Sequence, residues 1–137
     1  MRELVQAGVV VIAGGGGGIP VYRDPDYGLK GIDAVVDKDL VAAILAHEIE
    51  ADELIILTNI DAVHLNFGQP DEVTVRKMRL AEAKKHMKKG QFPPGSMGPK
   101  VAAAIRFVEQ GGERAIICAV EQVEAAIRGD AGTAILP

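Results

Sequence analysis

Leu54-Ile55-Ile56-Leu57 is apolar at every position and opens directly onto Thr58-Asn59-Ile60-Asp61. A short run of this kind fits a strand covered on both faces, the habit of parallel sheets. Just upstream, Lys38 to Glu50 reads as a helix. Leu40, Val41, Ile44, Leu45 and Ile49 share one broad stripe, with Ala42, Ala43 and Ala46 filling in. Asp37 and Asp39 stand at its start, where carboxylates suit the positive end of the helix dipole. Two more runs repeat the strand pattern. Val9-Val10-Val11-Ile12-Ala13 reads as a buried strand feeding into Gly14 to Gly18, and Ala115-Ile116-Ile117-Cys118 reads as a third. Apolar strands alternating with helices predict an α/β fold with a mostly parallel sheet.

The intervening segments fill out that plan. Residues 1–7 read as the end of a helix stopped by Gly8, and residues 22–31 as a turn-rich surface loop. Ala62 to Phe67 reads as a short strand closed by the turn Gly68-Gln69-Pro70-Asp71. Leu80 to Lys89 reads as a lysine-rich helix ending at Gly90. Gln91-Phe92-Pro93-Pro94-Gly95-Ser96-Met97-Gly98 is a shaped loop. Pro99 suits the first turn of the next helix, which runs to about Gln110 with Val101, Ile105 and Val108 inward. Glu121 to Arg128 reads as a short helix ending at Gly129, and Ala134-Ile135-Leu136 as a final edge strand.

Composition sets the bounds. At 48% apolar and 25% charged residues, the chain matches an ordinary globular domain rather than a disordered one. Its 137 residues predict one core, burying roughly two thirds of the unfolded surface. With 15 Lys+Arg against 19 Asp+Glu, the balance argues against a nucleic-acid binder. No apolar run approaches the ~20 residues of a membrane helix. Residues 1–5 lack a signal-peptide pattern. A single cysteine, Cys118, leaves no internal disulfide or multi-cysteine zinc site, and a cytoplasmic location is expected. His47, His64 and His86 share no metal-ligand spacing, so no metal site is expected from the side chains.

In open α/β sheets, ligands gather at the carboxyl ends of strands. Three features fall there. Gly14–Gly18 either lets backbone N–H groups approach an anion or is a tight turn without a ligand. No Gly-Lys-Ser/Thr follows it, so it is not a Walker A loop. Asp37-Lys38-Asp39 is either a capped helix start with a solvated lysine or a lysine placed for phosphate oxygens. Gly95-Ser96-Met97-Gly98-Pro99-Lys100 sets a lysine beside the free N–H groups of a helix start, which favours an anion. The basic cluster of Arg76, Lys77, Arg79, Lys84, Lys85, Lys88 and Lys89 reads as a solvated face.

Taken together, these segments resemble the C-terminal half of carbamate kinases, within the amino acid kinase family. The matching stretches are Ile12 to Val21, Val35 to Leu40, Ile56 to Val63, Gly90 to Lys100 and Gly129 to Thr133. The resemblance implies a three-layer α/β/α sandwich in which residues 1–137 form a single domain, the ATP/ADP-binding lobe. It implies reversible transfer, with Mg²⁺, from ATP to carbamate, giving ADP and carbamoyl phosphate, often at the end of arginine breakdown. It implies that Lys38 contacts the transferred phosphoryl group, that Asp39 orients the catalytic lysines, and that Lys100 stabilises the β/γ phosphates. Thr58, Asn59, Asp61, His64, Met97, Gly98 and Pro99 match loops around the nucleotide, and Gly15, Gly16, Gly17 and Gly18 match a loop facing the active centre.

Two positions depart from the pattern. His64 stands where an aromatic residue, often Tyr, is expected, and Asn59 replaces a frequent Asp. Carbamate kinases are also about twice as long. The N-terminal lobe, with the carbamate site and most of the dimer interface, has no counterpart here, so this chain alone is expected to be inactive. Either that half or a second copy is the expected partner. A non-catalytic nucleotide-binding or assembly module, and a relative with another acceptor, are the competing readings.

Overall fold

The computed structural model describes residues 1–137, and its core begins late in the chain. A short helix α1 (Arg2–Gln6) is followed by the strands β1 (Val21–Asp24) and β2 (Gly28–Gly31). Then come α2 (Lys38–Glu48), β3 (Glu53–Thr58), β4 (Val63–Leu65), β5 (Val73–Val75) and β6 (Lys77–Arg79). The remainder is α3 (Leu80–Lys88), α4 (Met97–Glu109), β7 (Arg114–Ala119), α5 (Val123–Arg128) and β8 (Thr133–Leu136). No residue before Ala43 is buried.

The main sheet has the order β3-β7-β8-β6. β3 pairs parallel with β7, β7 antiparallel with β8, and β6 parallel with β8. The sheet is therefore mixed, with two of its three ladders parallel. Alternation along β7 divides the helices between its faces. Ala115 and Ile117 join the main core with Val101, Ala104, Ile105 and Val108 of α4. Ile116 and Cys118 point the other way, onto Ala126 of α5. α2 and α3 pack beside α4, so helices flank both faces in three layers. The small side chains Ala43, Ala46, Ala103 and Ala104, all buried, let α2 and α4 approach closely. Burial pushes the Cys118 thiol pKa above its ordinary value.

Several expectations are corrected. Val9–Ala13 forms no strand. Val10 and Ile12 are 93% and 99% exposed. The run passes along α2, from Arg2 paired with Glu50 at its far end to Gly14 and Gly17 against Leu45 and Val41. No strand pairs with it, and the outer edge of β3 is free. An apolar run needs a second surface to be buried, and residues 43–137 supply none there. Residues 22–31 are not a loop but most of an antiparallel hairpin, β1–β2. Its turn is closed by Asp24, whose Oδ1 accepts from the amides of Asp26 and Tyr27, both at 3.0 Å. β8 is not an edge strand: it lies between β7 and β6. β3 is not covered on both faces, since Leu57 is exposed. In α2 the alanines face the core, Ile44 is bare, and Val41 and Leu45 turn toward the glycine run. The strand near residue 63 pairs with an unforeseen partner, β5, in a second hairpin.

Candidate active site

Two helix N-termini meet at one ion pair. Asp37 caps α2, its Oδ1 accepting from Leu40 N at 3.0 Å, which sets Asp39 in the first turn. At α4 the preceding loop folds back: Gly98 N donates to Pro93 O at 2.9 Å. A Cβ on Gly98 would stand 3.0 Å from that carbonyl, so only glycine lets the loop lie so close. This places Lys100 in the first turn of α4. Its Nζ reaches both carboxylate oxygens of Asp39, at 3.2 and 3.0 Å. The two side chains keep only 21% and 23% of their exposure, so water screens the pair incompletely. Positive helix ends, free N–H groups and an ammonium at one point favour an anion with several negative oxygens.

Beside this pair opens a cavity of about 240 Å³. Thr58, Asn59 and Ile60, at and just past the carboxyl end of β3, supply part of its lining. His64 and Phe67, from β4 and its turn, supply another part, with rings edge-on at 6.0 Å and 70°. Pro93, Ser96 and Met97 complete it, with Lys100 at its polar end.

The hairpin carrying His64 is held from two sides. Thr133 of β8 is fully buried. Its Oγ1 accepts from Val63 N at 2.8 Å and donates to Val75 O at 2.5 Å. Asn66, in left-handed backbone at φ 53°, donates its amide to Gln91 Oε1 at 2.7 Å. Gln91 Nε2 returns a bond to Asn66 Oδ1 at 3.0 Å, tying the hairpin to the Gln91–Ser96 loop. The His64 ring sits between carboxylates, with Nδ1 2.8 Å from Glu72 and Nε2 3.3 Å from Asp61. The bond from His64 is the main cause holding the Asp61 carboxyl below its ordinary pKa. Burial opposes it, and the charges of His64 and Arg76 add to it.

The residues singled out from sequence divide into groups. Lys100, Thr58, Asn59, His64 and Met97 come together at the cavity. Asp61 lies outside the lining and acts on His64. Gly98 and Pro99 shape the start of α4 without lining the cavity. Lys38 is apart from it: its Nζ donates to Val36 O at 2.6 Å. It lines a smaller cavity of about 110 Å³ with Gly14, Gly15, Gly17 and Val41. Gly16 and Gly18 line neither cavity. Of the two lysines, Asp39 binds Lys100 alone. Phe67, Pro93, Gln91, Glu72 and Thr133 were not read as site residues. Phe67 carries a local signal as an aromatic residue at a strand end before the Gly68 turn, and Gln91, Pro93 and Thr133 lie within the matching stretches, whereas Glu72 has neither.

A lysine and carboxylate at two helix starts lie beside a strand-end cavity in a three-layer sandwich, at the end of the sheet where α/β folds hold ligands. Residues 1–119 match the amino acid kinase family model, and the chain belongs to that family. Within it, the chain is 48% identical over 134 residues to the carbamate kinase of Thermococcus kodakarensis, covering 98% of this chain and 42% of that protein. It is 46% identical over 136 residues to the carbamate kinase-like protein YahI of Escherichia coli, covering 99% and 43%. Among solved structures, the carbamate kinase of Giardia lamblia bound to AMP-PNP superposes with a TM-score of 0.90 at 39% identity, covering 98% of this chain and 42% of that one. The chain thus spans less than half the length of the relatives it matches.

Proposed function

We propose that this chain is the nucleotide lobe of a carbamate kinase, taking part in the reversible transfer of a phosphoryl group between ATP and carbamate. A carbamate oxygen attacks the γ-phosphorus, the bond from γ-phosphorus to the ADP oxygen breaks, and carbamoyl phosphate and ADP result. The observation that carries this reading is the Lys100–Asp39 pair at the end of the Thr58–Met97 cavity, in a chain similar over its whole length to carbamate kinases. The AMP-PNP bound by the Giardia enzyme supports a nucleotide as ligand.

In this reading Lys100 meets the β/γ phosphates, where its charge offsets charge developing in transfer. Asp39 holds that ammonium in place. The base enters beside His64 and Phe67, with Thr58, Asn59 and Met97 around it, while Asp61 acts through His64 and Gly98 and Pro99 act by shaping the start of α4. Lys38, which shares a smaller cavity with Gly15 and Gly17 of the Gly15–Gly18 run, is assigned to the transferred group and would reach it by leaving Val36 O. Catalysis here is positioning and charge rather than covalent chemistry. No three His, Cys, Asp or Glu side chains gather to hold a metal ion. Mg²⁺ therefore does not fit a side-chain cage in this chain. It would enter as the counter-ion of the nucleotide phosphates.

The remaining lobe of such an enzyme is the partner we assign to the bare apolar Val9, Val10 and Ile12 and the free edge of β3. Without it, the same surface drives self-association. Sedimentation at rising concentration checks this, and a strictly monomeric profile counts against it. Within the same reading the enzyme works in the cytoplasm, on carbamoyl phosphate from arginine breakdown. The reading as a whole is tested by supplying the N-terminal half of a carbamate kinase to the purified chain. ATP formation from ADP and carbamoyl phosphate supports it. No turnover by a folded, assembled pair favours a non-catalytic module. Turnover with a different acid as acceptor favours the relative with another acceptor.

A further inference from the structure

The sheet face covered by α5 carries another cavity, distinct from those beside Lys100 and Lys38. Pairing sets Lys77 beside Ala134 and Arg79 beside Leu136, and sets Ile116 on the other side of Ala134. Ile116 packs on Ala126 of α5, so Ala134 and Leu136 belong to this same face. Together with α5 they bound a cavity of about 140 Å³.

Four cations line it: Arg76 before β6, Lys77 within it, Arg114 at the start of β7 and Arg128 at the end of α5. No carboxylate does. The arginines are steadied but not used up. Arg114 spends Nη2 on Glu53 and on Ile127 O. Arg76 holds Gly132 O at 3.5 Å with Nη1 and Asp61 at 3.5 Å with Nη2. Arg128 has only loose partners, Asp130 at 3.7 Å and Glu124 at 4.0 Å. Lys77 enters none of the ion pairs. Glu53 and Asp61 offset Arg114 and Arg76 from outside the cavity, while the unpaired Lys77 and the loosely held Arg128 leave the apolar-floored space positive, which favours an anion.

We propose that this cavity binds a small phosphate-type oxyanion. At about 140 Å³ it is smaller than the cavity beside Lys100, and its size suits a small anion. Guanidinium forks match phosphate oxygens, and cations supplied by three separate segments suit a tetrahedral dianion better than a planar monoanion. Neither Lys38 nor Lys100 lines this cavity, so the site stands independently of the proposed kinase reading.

The test is an amide and guanidinium NMR titration of the chain with inorganic phosphate at neutral pH, with ionic strength held constant by NaCl. The expected result is saturable shifts at Arg76, Lys77, Arg114 and Arg128, absent when NaCl alone is varied. They persist in Lys100→Ala, which weakens any phosphate held at the other cavity. Lys77→Gln with Arg128→Gln removes two charge-assisted donors and should weaken the site at least tenfold. Both side chains are exposed, so the fold should survive. If the double variant unfolds, Lys77→Gln alone gives the smaller loss. Methyl phosphate separates two sources: equal affinity assigns a phosphate group on a small metabolite, and lost affinity assigns free phosphate. Shifts that NaCl reproduces, shifts confined to residues 97–100, or unchanged affinity in the glutamine variants would overturn the proposal.

Discussion

Lys100→Ala isolates the charge on which the nucleotide reading rests. Its ammonium supplies a charge-assisted bond to phosphate, about 2 kcal/mol of affinity. Removing it also uncovers Asp39, whose carboxylate lies 3.0 Å from the ammonium it has lost. A bare carboxylate about 5 Å from a phosphate oxygen costs about 3 kcal/mol at an effective dielectric of about 20. The pair is a fifth exposed, so water and salt remove much of that cost, and about 1 kcal/mol is left. Together the losses come to about 3 kcal/mol, or roughly 150-fold in Kd for ADP. The repulsive part is separable. Asp39→Asn on the Lys100→Ala background should restore affinity to roughly 30-fold below the original. The assay is calorimetric titration with ADP and Mg²⁺, with unfolding curves alongside. Those curves should move by only about 1 kcal/mol, because the pair is part-exposed. The reasoning fails if Lys100→Ala binds within about threefold of the original chain, or if Asp39→Asn rescues nothing. A folded chain that shows no saturable ADP binding would refute it earlier.

Three further expectations follow from the packing. Thr133→Val leaves the buried Val63 amide without its acceptor and should cost about 1–3 kcal/mol in denaturant unfolding. The hairpin bearing His64 should loosen first, as hydrogen exchange at residues 63–75 would report. Gly132→Ala puts a Cβ 2.9 Å from both Cys118 Cβ and Ile117 O, at a φ of 71°, and should cost at least 2 kcal/mol, read from the denaturation midpoint. His64→Leu removes the main cause of the low Asp61 pKa, so an NMR titration should find the carboxyl moved up toward its ordinary 3.8. With the pKa depressed in the fold, Asp61 stabilises above pH 3.8, and that contribution is lost as pH falls through the folded-state value.

What could be read from sequence was what local pattern determines. β7 and α4 bury the residues their runs and periodicity marked, because each has neighbours on every side. Val9–Ala13 has an equally strong pattern and none of the burial, since a strand signal states a need for covering surface and not its presence. β8 was misplaced because nothing within Thr133–Leu136 says which strands will flank it. The site divides in the same way. Lys100 was legible from its place after Gly98-Pro99 at a helix start, whereas its bond to Asp39 spans 61 positions and was reached only through resemblance. Gln91 and Thr133 hold the His64 hairpin through bonds spanning 25 and 70 positions, which no local motif announces.

Cys118 gives the chain a built-in clock. It is the only thiol, fully buried on β7 beneath α5, with Gly132 pressed against it. Its raised pKa and its burial both withhold the thiolate that alkylating reagents need. Modification therefore waits for α5 and the turn before β8 to lift. The labelling rate then counts those openings, with no reporter group added, on the side of the sheet away from the Lys100 cavity.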